Sequence, residues 1–240
     1  MSLRDRWEEQ ANAWIDWARA PGHDSYWRHH RDQFLGIVPA PGVLTVDLGC
    51  GEGRLTRHLK SLGHQVIGID AAPSLVAAAQ AADPSMTILL ADAASLPLAD
   101  SCADLVIAFM SLHDMDAMPD AVGEVARILK PGGGFCAAIV HPINSAGKFE
   151  DNAPNAPFII KGDYLRSFAY ADAVERQGRL MTFHSRHRSL QDYFSTLEAG
   201  GFVVEALREP EIPDHALVSE ASLRWQRIPL FLHLRAVKPG

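Results

Sequence analysis

The sequence predicts an α/β fold, a doubly wound parallel sheet with helices on both faces. Three observations carry this prediction. Short apolar segments of strand length alternate with segments whose apolar residues recur at helical spacing. The first strand ends abruptly in a cluster of glycines. The chain, with 240 residues of which 48% are hydrophobic and 21% charged, is long enough to bury a core without disulfide or metal crosslinks.

The first unit of this pattern is a strand, a glycine loop, a helix and a second strand. Residues 43–48 form a short apolar run of strand formers that leads into the glycine-rich loop 49–53. Leucines then recur every three or four residues until Gly63, a typical helix stop, and residues 65–70 form the next apolar run. We therefore predict a β-α-β unit here.

The same alternation continues along the chain. Pro73 and Pro119 each stand at the first turn of a predicted helix, where proline is favoured. Right-handed crossovers between parallel strands place such helices on both faces of the sheet. The further predicted elements are a helix over 73–82, strands over 86–90 and 104–110, a helix over 119–129, a strand over 135–140, a helix over 189–199, and strands over 202–206 and 228–234.

Two segments lie outside this alternation. Trp7, Trp14 and Trp17 fall near one helical face, which predicts an N-terminal helical cover over 1–42. Residues 141–188 lose clear periodicity and are rich in Pro, Asn, Gly and aromatic residues, as expected of an insertion or lid over the acceptor site. We predict a single domain, in which 43–140 is the cofactor-binding core and 189–240 adds a C-terminal helix and strands.

Charge and cysteine content restrict the partners. The formal charge of -7, from 29 acidic and 22 basic residues, disfavours binding to nucleic acid. Three widely spaced cysteines and the absence of a signal or membrane-spanning run favour a cytoplasmic protein without a membrane partner. His184 and His187 lack an accompanying carboxylate or cysteine pattern, so no metal site is predicted. The oligomeric state is not predictable from these features.

The glycine loop predicts a cofactor site, because it exposes bare backbone beside a helix N-terminus. A dinucleotide fingerprint requires a small residue at position 54, where this chain has Arg54. Asp47 and Glu52 place carboxylates in the loop, which would repel a diphosphate and attract an ammonium or sulfonium group. Asp70 follows at the end of the second strand, where an acid can accept both hydroxyls of a ribose.

Four motifs in this order and spacing resemble the class I S-adenosylmethionine-dependent methyltransferases. They are residues 46–53, 66–70, 91–93 and 129–133. The family implies a Rossmann-like, seven-stranded, mostly parallel sheet whose last strand runs antiparallel, with S-adenosylmethionine as cofactor and S-adenosylhomocysteine as product.

The resemblance also implies roles for individual residues. Asp70 would hold the ribose hydroxyls, Asp92 the adenine amino group beside the Ala93 backbone, and the loop 47–53 the methionine portion. The alternative is that Asp70 and Asp92 have a purely structural role as helix caps or turn formers. The predicted cofactor-binding residues are Asp47, Gly49, Cys50, Gly51, Gly53, Asp70, Ala71, Asp92, Ala93 and Met110, with Tyr26 and Arg28 expected to approach from the N-terminal cover.

Methyl transfer needs no covalent residue, because the protein mainly holds the acceptor and the methyl group in line. A base near the acceptor would help, and His113 and His141 are the candidates, with a purely structural role as the alternative for each. The aromatic segment 141–188 favours a small organic acceptor. Two other functions stay open: a noncatalytic S-adenosylmethionine-binding regulatory protein, and an NAD(P)-dependent oxidoreductase.

Overall fold

The computed structural model describes residues 1–217 and 219–240. The helices are α1 (Leu3–Arg19), α2 (Arg31–Leu35), α3 (Arg54–Ser61), α4 (Pro73–Ala82), α5 (Met118–Ile128), α6 (Pro142–Ser145) and α7 (Leu190–Ala199). The strands are β1 (Thr45–Leu48), β2 (Val66–Asp70), β3 (Thr87–Leu90), β4 (Ala103–Phe109), β5 (Leu129–Val140), β6 (Gly147–Phe149), β7 (Phe158–Ile160), β8 (Phe168–Arg176), β9 (Arg179–His187), β10 (Val203–Arg208) and β11 (Phe231–Val237).

Seven strands form one sheet in the order β10-β11-β5-β4-β1-β2-β3. Strand β11 pairs antiparallel with both of its neighbours, whereas the pairs from β5 to β3 are parallel. The predicted fold class, a doubly wound seven-stranded sheet with an antiparallel last strand, is therefore confirmed. All four residues of β1 are buried, as expected of a central parallel strand covered on both faces.

Local sequence signals set the helix ends that border the site. Gly53 has a φ of 82° and precedes α3, so the loop turns directly into that helix. Helix α4 begins at Pro73, where the missing N–H costs nothing. Ser189 and Asp192 form a capping box at the start of α7. The predicted starts of α4 and α7 agree with these ends to within one residue.

The N-terminal cover, residues 1–42, contains helices α1 and α2. Ser2 and Asp5 cap α1, and Trp14 and Trp17 lie on its buried face. These two rings pack against Phe183 of β9, each with its ring centroid 6.1 Å away and in an edge-to-face arrangement. The cover is therefore joined to the insertion as well as to the sheet.

Residues 141–188 contain more regular structure than their sequence predicts. Strands β6 and β7 form one antiparallel hairpin, and β8 and β9 form another. Gln177 and Gly178, both at positive φ, make the two-residue turn between β8 and β9. The strand signal was hidden because β8 is rich in alanine and charged residues, which are weak strand formers.

Two strand boundaries also differ from prediction. The last strand begins at Phe231 instead of residue 228, because residues 220–226 are helical and Pro229 lacks the N–H that a ladder requires. Strand β5 begins at Leu129, before the predicted start at residue 135, and includes the glycines 132–134. Among the described residues, none of the helices has the length and apolar character needed to cross a bilayer.

Candidate functional site

A cavity of about 1560 Å³ opens at the carboxyl edge of the sheet. Its walls include the carboxyl ends of β1, β2 and β4, the inner face of α1 and one face of β8. This is the edge at which open α/β sheets bind ligands. The cavity thus lies between the predicted core and both predicted covering segments.

The glycine loop brings bare backbone to this cavity. Gly49 and Gly51 have φ values of 73° and 58°, which glycine adopts without strain. A side chain at Gly49 would overlap the Ser111 side chain, and a Cβ at Gly51 would lie 3.2 Å from Trp14 Nε1. The loop therefore needs glycine both for its backbone conformation and for close packing.

Asp70 fixes the loop and still faces the cavity. One carboxylate oxygen accepts the Gly51 N–H at 2.8 Å, and the other accepts the Ala72 N–H at 2.9 Å. Each oxygen retains capacity for a further hydrogen bond. Burial raises the pKa of Asp70, while these backbone N–H groups act in the opposite direction. Asp70 can therefore accept hydroxyl groups from a ligand without releasing the loop.

The two loop carboxylates have different environments. Asp47 lines the cavity and accepts the Thr56 hydroxyl at 2.6 Å, and burial raises its pKa to about 6. Glu52 instead turns away, since its carboxylate lies 2.8 Å from Arg57 and 3.0 Å from Arg19. The expectation that both carboxylates face the ligand is therefore wrong for Glu52, because arginines on α3 and α1 neutralise it.

Arg54 places a positive charge beside the loop. Its Nε lies 3.1 Å from a carboxylate oxygen of the buried Asp24, and its guanidinium stacks 4.6 Å from the centre of the Trp14 ring. Arg54 also lines the cavity. The residue that distinguished this loop from a dinucleotide fingerprint therefore supplies a fixed cation at the site.

Most predicted cofactor residues lie together on the cavity wall, namely Asp47, Gly49, Cys50, Gly51, Asp70, Ala71, Asp92, Ala93, Met110 and Arg28. Met110 has a φ of 54°, an uncommon conformation for a residue other than glycine. Gly53 and Tyr26 do not lie on this wall. Tyr26 is fully buried and its hydroxyl lies 2.6 Å from His58, so packing directs it away from the cavity.

The two histidine candidates differ in position. His113 lines the cavity, but burial lowers its pKa to about 3, which makes it a weak base. His141 does not line the cavity: its Nδ1 accepts the Ile143 N–H at 3.1 Å as the cap of α6, and its Nε2 lies 3.0 Å from Glu209. The structure therefore gives His141 a capping position outside the cavity wall.

Several polar residues of the wall were missed by sequence reasoning. Asp114 accepts the Ser185 hydroxyl at 2.6 Å, and burial raises the pKa of Asp114 well above its usual value. Tyr170, on β8, also lines the cavity, and burial raises its pKa. Asp114 adjoins His113 in sequence, but only the pairing of β8 with β9 brings Ser185 and Tyr170 to it.

Comparison with known proteins agrees with this geometry. The family model described as a methyltransferase domain matches residues 46–137, which include the glycine loop and Asp70. A crystal structure of an S-adenosylmethionine-dependent methyltransferase from Mesorhizobium loti covers 89% of this chain and 98% of its own, with 25% identity and a TM-score of 0.71. Over residues 46–137, this chain carries a methyltransferase domain. The predicted family is therefore confirmed over this core, and S-adenosylmethionine stays the predicted cofactor.

The first curated relatives match about two fifths of this chain. A malonyl-acyl-carrier-protein O-methyltransferase of Pectobacterium atrosepticum is 34% identical over 42% of this chain and 41% of its own length. An uncharacterized methyltransferase of Mycobacterium tuberculosis is 37% identical over 40% of each chain. The chain thus aligns with about two fifths of the length of these relatives.

The residues of the methyltransferase domain fit the cofactor chemically. Asp70 offers carboxylate oxygens to a ribose, and the backbone at Gly49 and Gly51 leaves room that a side chain would fill. Asp47 and Arg54 provide one anion and one cation, which suit the ammonium and carboxylate groups of an amino acid. Both charges are held by buried partners, so the site is arranged before a ligand arrives.

Proposed function

We propose that the protein transfers a methyl group from S-adenosylmethionine to a small organic acceptor by direct in-line displacement. The observation that supports this most is the single cavity, which joins the glycine loop and Asp70 to an aromatic space formed by the insertion. A shared cavity lets donor and acceptor meet in one water-poor space, as in-line transfer requires.

In this proposal, different residues of the chain bind different parts of the cofactor. Asp70 binds the ribose hydroxyls, Asp92 and the Ala93 backbone bind the adenine edge, and Asp47 attracts the amino group. Arg54 binds the carboxylate of the amino-acid end. When bound, the cofactor supplies an activated methyl group on a sulfonium, so the protein needs to add only orientation and desolvation.

The acceptor space supports a small organic molecule. Phe149 and Trp225 line it, with their ring centroids 4.9 Å apart and edge to face. Aromatic walls with a few polar groups are typical of small-molecule sites. The net charge of -7 argues against a nucleic-acid acceptor, and the cytoplasmic location stays a prediction.

Isothermal titration with S-adenosylmethionine, S-adenosylhomocysteine and NAD tests the cofactor. We expect both sulfur ligands to bind and NAD to give no heat of binding. Binding of NAD without a response to the other two would instead indicate an oxidoreductase.

A screen with methyl-labelled S-adenosylmethionine then separates an enzyme from a regulatory binding protein. We expect labelled product from a pool of small metabolites and none from RNA or DNA. Binding of S-adenosylhomocysteine with no labelled product from any pool would favour the noncatalytic alternative.

A further inference from the structure

A serine and a histidine form a hydrogen-bonded pair at the acceptor side of the cavity. Ser145 ends α6, just after β5, and lines the cavity. Its Oγ lies 2.7 Å from Nδ1 of His187, the last residue of β9. His187 has no exposed surface. Ser145 is thus the only member of the pair that a ligand in the cavity can touch.

The hydrogen bonds determine which nitrogen of His187 carries hydrogen. Nε2 lies 2.9 Å from the Tyr164 carbonyl oxygen, which can only accept, so Nε2 is the N–H donor. In the uncharged imidazole, Nδ1 then has a free lone pair and accepts the proton of the Ser145 hydroxyl.

Packing holds the histidine ring in this orientation. The Phe168 ring stacks on it with a centroid distance of 4.7 Å and an interplanar angle of 21°. The Tyr164 ring contacts it edge to face at 5.5 Å. The Pro142 carbonyl oxygen is a more distant acceptor for Ser145, at 3.2 Å. A serine proton directed to Pro142 would also leave two lone pairs facing each other between Oγ and Nδ1.

Because the only proton of Ser145 points to His187, its Oγ offers the cavity lone pairs alone. Such an oxygen binds a group that donates hydrogen. We propose that the acceptor is a hydroxyl compound, bound through its O–H to Ser145, and that His187 receives the proton through Ser145 during transfer to the acceptor oxygen. This inference rests on the proposed methyltransferase function and names its substrate class.

The proposed transfer moves one methyl group and two protons. The acceptor oxygen gives its proton to Ser145 Oγ, and Ser145 gives its own proton to His187 Nδ1. The freed electron pair on the acceptor oxygen forms the new O–CH₃ bond, and the electron pair of the broken S–CH₃ bond stays on sulfur. The products are a methyl ether, S-adenosylhomocysteine and a proton on His187, which returns through Ser145 to water in the cavity. Ser145 touches the substrate, whereas His187 acts through it.

The test compares acceptors that share a carbon skeleton but differ in their reactive group. The probes are phenols and alcohols with the matching amines and carboxylic acids, assayed with methyl-labelled S-adenosylmethionine. We expect label in the hydroxyl compounds. Ser145→Ala and His187→Gln should lower kcat for the best of them at least about 100-fold, the usual range for a lost acid–base group. Affinity for S-adenosylhomocysteine should change less than about twofold in calorimetry.

Three further measurements exclude a merely structural role. Ser145→Thr keeps the hydroxyl and should recover most of kcat, and Ser195→Ala, on the exposed face of α7, serves as the control. The acidic limb of the pH profile of kcat should disappear in His187→Gln. In ¹⁵N-histidine NMR of the wild-type protein, His187 should carry hydrogen on Nε2 and none on Nδ1.

Several results would overturn the proton path. These are a kcat for Ser145→Ala within about threefold of wild type, hydrogen on Nδ1 of His187, and methyl transfer only to amines or carboxylates. Absence of transfer to every hydroxyl probe, by a protein that binds S-adenosylhomocysteine, would also overturn it. Failure of the wild-type protein to bind S-adenosylhomocysteine would instead refute the proposed function itself.

Discussion

Asp70 combines two tasks in one carboxylate. It accepts the N–H groups of Gly51 and Ala72, which hold the glycine loop, and its remaining lone pairs face the cavity. A helix cap or turn former alone would not connect two strand ends in this way. A role as helix cap or turn former therefore accounts for the contact of Asp70 with Ala72 but not for its link to the glycine loop.

Asp70→Asn should weaken binding of both S-adenosylhomocysteine and methylthioadenosine at least about tenfold, because each contains the ribose and each loses a charge-assisted hydrogen bond. Calorimetry measures both affinities. Asp120→Asn, an exposed residue of the first turn of α5, is the matched control. Unchanged affinities in Asp70→Asn would show that the ribose is bound elsewhere.

Arg54 should distinguish the same two ligands. We expect Arg54→Gln to weaken the binding of S-adenosylhomocysteine at least about tenfold, because a charged hydrogen bond to the ligand's carboxylate is lost. Methylthioadenosine lacks the amino-acid end, so its affinity should change less than about threefold. The ratio of the two affinities, measured in one variant, separates this effect from any general disturbance caused by unpairing the buried Asp24. Equal losses of affinity for both ligands would show that Arg54 does not bind the carboxylate.

The glycine loop depends on its neighbours as well as on its own conformation. Gly49 and Gly201 have nearly equal φ values, 73° and 75°, but a Cβ would overlap Ser111 at Gly49 and meet open space at Gly201. The two positions therefore separate backbone strain from steric overlap. Ser111 in turn donates its hydroxyl to the Leu48 carbonyl oxygen at 2.6 Å, which fixes the obstacle in place.

Gly201→Ala should lower the free energy of unfolding by about 1–2 kcal/mol, the cost of a left-handed conformation. Gly49→Ala should lower it by about a further 1–3 kcal/mol, because Ser111 must be displaced. Urea unfolding of both variants gives the comparison, and only Gly49→Ala should also lose affinity for S-adenosylhomocysteine. Equal losses in the free energy of unfolding would mean that the Ser111 side chain moves aside without destabilising the protein.

The insertion is held by side chains from distant parts of the chain. Met181 of β9 is fully buried, and it packs in the same apolar cluster as Trp14, Trp17 and Leu75. The hairpin β8–β9 therefore shares a small core with α1 and α4. This explains how a segment with weak strand signals of its own keeps a defined position over the cavity.

Buried histidines connect the stability of the whole molecule to pH. His30 of the N-terminal cover and His233 of β11 lie 2.8 Å apart between Nδ1 and Nε2, both without exposed surface. Burial lowers the pKa of His30 well below its usual value and that of His233 to about 4. In the unfolded chain each would titrate near pH ~6.5. The stability that the two uncharged histidines support is therefore fully present above that pH, and it is lost as the pH falls toward 4.

The free energy of unfolding should thus decrease between pH 7.5 and pH 5, because the unfolded chain binds protons that the native state excludes. Denaturant titrations at both pH values measure this decrease. His233→Gln should make it smaller by about 2 kcal/mol, the linkage expected for one histidine shifted by this amount. An identical pH dependence in the wild type and the variant would contradict the assignment.

The sequence by itself determined the central sheet, its helices and most of the cofactor wall. Strand β1, the loop 49–53 and Asp70 adjoin one another in a β-α-β unit, so local periodicity and glycine content suffice to locate them. The C-terminal antiparallel strand followed from the family resemblance. The other features depend on short-range signals, which a single sequence displays.

Only the tertiary structure decided the acceptor side and the charge balance of the site. The charge of Glu52 in the glycine loop is neutralised by Arg19 of α1. The pairing of Ser145 with His187 joins residues 42 positions apart. Neither contact leaves a periodic trace in the sequence, because each arises when separate elements pack together. Burial then sets the protonation of Asp47 and His113, and burial is a property of the folded chain.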